Sequence, residues 1–139
     1  MLLRLLRRLR RRRQPADEEL RGRPRIRREK MYAASSGYVY HYTYEGYRHA
    51  THDGASGKEF VFLCTSDRSA RLPIAVFGPD ESFDAWEQAS GRELNDVERY
   101  AIVKMRLFEI FDTRGRLTGD ICDWLDEERV RRQVEALDL

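Results

Sequence analysis

Hydrophobic and polar positions change period twice along this chain. In "YVYHYTY" they alternate, Tyr38, Tyr40, Tyr42 and Tyr44 on one side against Val39, His41 and Thr43 on the other, in β-prone residue types, which predicts a strand. Gly46 interrupts it where a β-bulge would fit, and "YRHAT" continues the extended run. "HDGASG" then supplies turn chemistry, since Asp53, Gly54 and Gly57 suit positive φ. "KEFVFLCTS" returns as a second strand, apolar on both faces, as a central strand covered from both sides should be. After "SDRSA" a third strand, "RLPIAVF", is expected, with Pro73 marking a strand start or an edge because it donates no ladder hydrogen bond.

The second change is to a helical period. "GPDESFDAWEQASG" reads as a short helix capped by Ser82 or Asp80, with Phe83 and Trp86 as its apolar side and Gly91 at its end. "NDVERYAIVKMRLFEIFDTRG" is a stronger prediction. Asn95 and Glu98 form a capping-box pair, and Val97, Ala101, Met105, Phe108 and Phe111 make an apolar stripe widened by Ile102, Leu107 and Ile110. In the last segment the apolar positions shift from Ile121, Trp124 and Leu125 to Val130, Val134 and Leu137, predicting a kinked helix or two short ones. The expected fold is therefore α+β: a three-stranded antiparallel meander followed by two to three helices packed on one face. The helix from Asp96 to about Thr113 covers only one face of such a sheet. The tyrosines, the last helix or another chain would have to cover the other.

At 139 residues and 41% hydrophobic content there is room for one ordinary domain. Cys64 and Cys122 and no recognisable signal peptide argue against a disulfide framework and for a reducing, cytoplasmic setting. Apolar runs such as "FVFLC" fall far short of the roughly 20 residues of a transmembrane helix. The net charge of +2 conceals an asymmetry: residues 1–30 hold 13 basic and 4 acidic side chains, residues 31–139 hold 13 and 20. Residues 1–30 accordingly read as a basic leader, and residues 31–139 as the domain.

That leader opens "MLLRLLRRLRRRR", with Leu2, Leu5, Leu6 and Leu9 at helical spacing among arginines. It has the character of an amphipathic helix for an anionic membrane surface, or of an arm that neutralises nucleic-acid phosphates through Arg7, Arg8, Arg10, Arg11, Arg12, Arg13, Arg23 and Arg25. A mitochondrial presequence fits poorly, since the first 30 residues contain no serine, and a twin-arginine signal would need an apolar stretch after Arg7 and Arg8. A further reading places the start of translation at Met31. Arginine outnumbers lysine 23 to 3, as in GC-rich bacterial genomes, where untranslated sequence also reads as arginine-rich peptide.

Candidate chemistry is sparse. "GASGKE" lacks the glycine spacing, the hydroxyl residue and the following helix of a phosphate-binding loop, so a hairpin turn is the better reading. His41, His49 and His52 match no zinc spacing and are expected as exposed loop histidines. Cys64, mid-strand, should behave as a small buried hydrophobe with a raised pKa. Asp120, Asp123, Asp126, Glu127 and Glu128 crowd a helix start, where they favour dipole and solvent. No catalytic, cofactor or metal motif is present.

Six of the seven tyrosines lie within residues 32–47. Aromatics alternating on a strand can stack bases, but the acidic domain repels phosphate and the element order is neither that of an RRM nor that of an OB fold. The expected role is a non-enzymatic protein-interaction module or small regulatory subunit. Its contact surface would be Tyr38, Tyr40, Tyr42, Tyr44 and Tyr47, and its partner another protein chain, a copy of itself or a different one. Nucleic-acid binding through the arginine arm is the alternative, and a small enzyme the third choice.

Overall fold

The structure is a computed structural model that describes residues 19–67 and 70–139. Its fold is α+β, with a five-stranded, mostly antiparallel sheet and three helices among the described residues. The strands are β1 (Lys30–Ala33), β2 (Val39–His52), β3 (Ala55–Thr65), β4 (Leu72–Pro79) and β5 (Ile121–Trp124), in spatial order β1-β2-β3-β4-β5. The helices are α1 (Asp80–Ser90), α2 (Asp96–Arg114) and α3 (Glu127–Ala136).

The predicted meander is the central part, β2-β3-β4, and it undercounts the sheet. β1 adds antiparallel to the outer side of β2, and β5 adds parallel to β4. The expected kinked helix after Thr118 is instead β5 followed by α3. Cross-strand pairing with residues 74–77, a long-range contact, sets the conformation of these four residues. Pro73 sits one residue before that pairing begins, so its missing N–H leaves no gap between β4 and β5.

Local rules hold well within the hairpin. Asp53 (φ 50°) and Gly54 (φ 81°) form a two-residue turn between His52 and Ala55, the mirror-image type that matches strand twist. The register slips between Tyr44 and Gly46, as a bulge requires. Gly46 has φ 116°, and a Cβ there would lie 2.5 Å from the Arg21 carbonyl oxygen. Gly57 is not a turn residue. It lies inside β3, where a Cβ would come within 2.2 Å of the Gly78 carbonyl oxygen and 2.8 Å of the Pro79 Cα. Gly57→Ala is therefore expected to part β3 from β4 and lower stability by about 1–3 kcal/mol, as a reduced urea midpoint would show.

The helices bury one sheet face. Tyr40, Tyr42, Phe60, Phe62, Cys64, Ile74 and Val76 meet Ile102, Val103, Leu107, Ile110 and Phe111 of α2, with Phe83, Val130 and Val134 from the other two helices. Burial raises the Cys64 thiol pKa, as the residue's position mid-strand predicts. The α2 capping box is present, Asn95 Oδ1 accepting from the Glu98 N–H and Glu98 Oε1 from the Asn95 N–H. The buried stripe is rotated from the expected one, for Val97 is 77% exposed. α1 begins directly after β4, with Pro79 as N-cap and no side-chain cap in place of the predicted Ser82 or Asp80. No described helix is long and apolar enough to cross a membrane.

The described residues before Lys30 also touch the sheet. Arg21 exchanges backbone hydrogen bonds with Tyr47 at 2.7 and 2.8 Å, occupying the outer edge of β2 beyond the reach of β1. Arg27 Nη1 donates to buried Glu45 at 3.0 Å, and Arg23 Nε to the Glu45 carbonyl. The contacts of the folded unit thus extend about ten residues ahead of the expected boundary at Lys30.

Candidate functional site

The tyrosine strand serves two purposes. Tyr40 and Tyr42 are 0% and 4% exposed beneath α2, so both are chiefly core residues. Tyr40 stacks on Phe111 at 4.3 Å and donates its hydroxyl hydrogen to the Gly115 carbonyl. Tyr42 meets Phe62 and Phe108 edge-on, and burial together with Tyr100 and Cys64 pushes its phenol up to about 12. The hydroxyls find partners or stay protonated, which lets a tyrosine-rich face act as core. Earlier in the chain, Tyr32 stacks on Phe108 at 4.3 Å and donates to Asp112 at 2.9 Å.

The remaining tyrosines reach the surface. Tyr38 is 42% exposed beside Gly115. Tyr44, against Tyr100 of α2 at 4.8 Å, and Tyr47 are half-buried and line an apolar groove. Tyr44 and Tyr100 together form the ridge between two hollows. One, of about 260 Å³, includes Tyr47, Phe60, Phe83 and Val97. The other, of about 320 Å³, includes Tyr42, Pro24 and Ile26, the last 70% exposed.

The rim charges are unequal. Beside the first hollow Lys58 faces Asp96 at 3.7 Å, and Arg99 is paired with Glu87 at 3.0 Å. The second is rimmed by Arg27, Arg28 and Lys30 with no lining acid. Lys104, over the rings of Tyr42 and Phe108, adds a cation whose pKa is lowered to about 8 by burial and by Lys30. Three of these four cations, Arg27, Arg28 and Lys30, come from the basic first 30 residues, and Lys104 comes from α2.

Of the arginines expected to contact nucleic acid or an anionic surface, Arg7, Arg8, Arg10, Arg11, Arg12 and Arg13 lie outside the described residues. Arg23 is held at Glu45, and Arg25 is exposed. The histidine reading needs correction. His52 is a buried strand residue, not an exposed loop one, and its Nε2 meets Glu59 Oε2 at 2.7 Å while Arg48 Nη2 donates to Glu59 Oε1 at 2.6 Å. Burial alone would raise the Glu59 pKa, but the hydrogen bonds from His52 and Arg48 outweigh it and leave it lowered. This cluster was legible in principle, because an Asp53–Gly54 turn fixes a register that sets Arg48 opposite Glu59.

Asp126 caps α3 with Glu127 and Glu128 in its first turn, as the acidic run predicts. Asp123 does something else. It sits in β5 and accepts from Arg106 at 2.9 Å and Arg129 at 3.2 Å, joining sheet, α2 and α3. Among the described residues no group of three His, Cys, Asp or Glu side chains gathers as a metal site. Compared with protein-family models, with the curated proteins and with solved structures, the chain gives no match.

Proposed function

We propose that the protein is an interaction module that takes an apolar, acid-flanked peptide segment of another protein chain in the groove at Tyr44 and Tyr100. The single observation that supports this most is the pair of adjoining apolar hollows bordered by exposed Ile26 and Val97. Aromatic-lined grooves beside exposed aliphatic side chains suit partner segments that insert a few large side chains. The basic rim at Arg28, Lys30 and Lys104 favours acids flanking those anchors and disfavours basic segments. Of the surface first expected, Tyr44 and Tyr47 belong to this groove, while Tyr38 stands apart near the C-terminal end of α2.

Selection of a random peptide library on the purified full chain tests the reading. The expected winners pair aromatic or aliphatic anchors with Asp or Glu, and lose at least about tenfold in affinity, or 1.4 kcal/mol, on Val97→Asp. Because Val97 is exposed, that variant should keep the wild-type thermal midpoint. Winners without acids, or winners indifferent to Val97→Asp, would contradict the proposal. So would a concentration-dependent dimer abolished by the same substitution, which would make the occupant a second copy.

A further inference from the structure

The sheet face turned away from the helices carries a second concavity, and it differs in character from the groove. Its floor is apolar, formed by Val61 of β3 with Pro73 and Ala75 of β4. Cys122 of β5 and the connection from Arg114 to Asp120 make one side; Arg48, His52 and Glu59 make the other. Leu117, buried and tied through its N–H to the Ser66 hydroxyl at 3.1 Å, pins that connection over the sheet. The cleft measures about 450 Å³, inside the range of roughly 300–1,000 Å³ found for small-molecule sites.

Among its charged groups cations outnumber acids. Three guanidinium groups line it, Arg48, Arg114 and Arg116, against the carboxylates of Glu59 and Asp120. Glu59 is already committed, with Oε1 accepting from Arg48 Nε and Nη2 and Oε2 meeting His52. That commitment fixes the Arg48 fork, 19% exposed, at the cleft wall. Among the described residues the Arg116 guanidinium faces one acid, Asp67 at 3.8 Å, itself on the surface. The Arg114 guanidinium makes no ion pair or hydrogen bond with any described residue, and Asp120 is exposed at the rim.

We infer that this cleft binds a small organic anion, a carboxylate or phosphate on a compact apolar body, with the charge at Arg48, Arg114 and Arg116 and the body on Val61, Pro73 and Ala75. Guanidinium forks match both anions, and an anion would find Arg114 without an acid among the described residues, Arg116 with a distant one on the surface, and the Arg48 fork held in place by Glu59. The apolar floor gives the body of the ligand a surface that excludes water, and a partly enclosed wall strengthens the charge contact relative to open solvent. This site is independent of the groove, since the two concavities share no lining residue.

The test is amide chemical-shift mapping on the full chain with benzoate, phenyl phosphate and neutral benzamide as probes. Saturable shifts at Val61, Ala75 and Cys122 are expected with one or both anions and not with benzamide, and the tighter anion identifies the preferred headgroup. Arg114→Gln combined with Arg116→Gln should weaken that anion at least about tenfold while the rest of the spectrum stays in place, because both side chains are exposed. Equal binding of benzamide, full affinity in the double variant, shifts confined to Tyr44 and Val97, or no saturation by about 10 mM would each overturn the assignment. Displacement of phenyl phosphate by a lower concentration of a short oligothymidylate would overturn it too, in favour of a nucleic-acid surface.

Discussion

Phe111→Ala is expected to lower the unfolding free energy by about 3–5 kcal/mol. Phe111 is fully buried where helix meets sheet, stacked on Tyr40 at 4.3 Å with a 7° interplanar angle and within 5.8 and 6.0 Å of the rings of Tyr32 and Tyr42. Removing its ring takes away the transfer energy of the lost atoms and leaves a void that three tyrosines, each anchored to a strand, cannot close. The loss would be a large fraction of the 5–15 kcal/mol typical of a domain. Phe111→Leu, which keeps most of the volume, should cost under about 1.5 kcal/mol. Urea unfolding followed by tryptophan fluorescence measures both. A loss below 1 kcal/mol for the alanine variant would mean that the tyrosine face does not depend on α2 for its packing.

The second large effect is expected at Glu59. Its carboxylate is 6% exposed and holds Arg48 and His52, so Glu59→Ala leaves a mostly buried guanidinium and a buried imidazole without their shared acceptor. Loss of one partner of such a cluster costs about 3–5 kcal/mol. The lower end is the better expectation here, because Arg48 retains some contact with water. Glu59→Gln keeps the shape and one acceptor and should cost less. The acid limb of the stability curve gives a separate readout. The folded chain holds the Glu59 pKa below its usual value near 4.5, so the folded form takes up this proton less readily than the unfolded chain. The stabilisation is then full above that usual value and is lost as the pH falls through the lower folded value. Glu59→Gln should flatten the decline of stability in that window. An acid limb identical to wild type would show that the carboxylate is not held ionised by its neighbours.

The candidate surfaces were only partly legible in the sequence. Alternation singled out Tyr44 and the clustering of tyrosines added Tyr47, and both line the groove, but the same signals treat Tyr40 and Tyr42 alike, and those are core. What separates them is where α2 lies along β2, a property of packing and not of either segment. Val97 read as a member of the helix stripe and Tyr100 was not singled out, yet Tyr100 completes the groove ridge and Val97 projects from its border. Ile26 and Pro24 belong to a stretch that composition assigned to a leader, because a charge count cannot show that Arg27 reaches Glu45 across 18 positions. The anion cleft left no sequence signal. Its arginines come from β2, the end of α2 and the following loop, and only folding assembles them.

By itself the sequence determined the features that depend on near neighbours. The Asp53–Gly54 turn, the bulge at Gly46, the Asn95 and Glu98 capping box and the apolar strand at Phe60 to Cys64 follow from dihedral preference, missing Cβ atoms and hydrogen bonds spanning three or four residues. Tertiary structure decided what short segments become. β1 and β5 have four residues each, too few to show a period, and their backbone hydrogen bonds are satisfied only by β2 and β4. It also decided which face of each strand is buried, since β3 is apolar on both sides and the helices can occupy only one. On the other face Phe77 packs with His52 and Trp124, and an open cleft lies beside the α2–β5 connection. Burial is a property of the whole chain, because the free energy of covering an apolar surface depends on how much water is removed from it and not on which residues stand next to it in sequence.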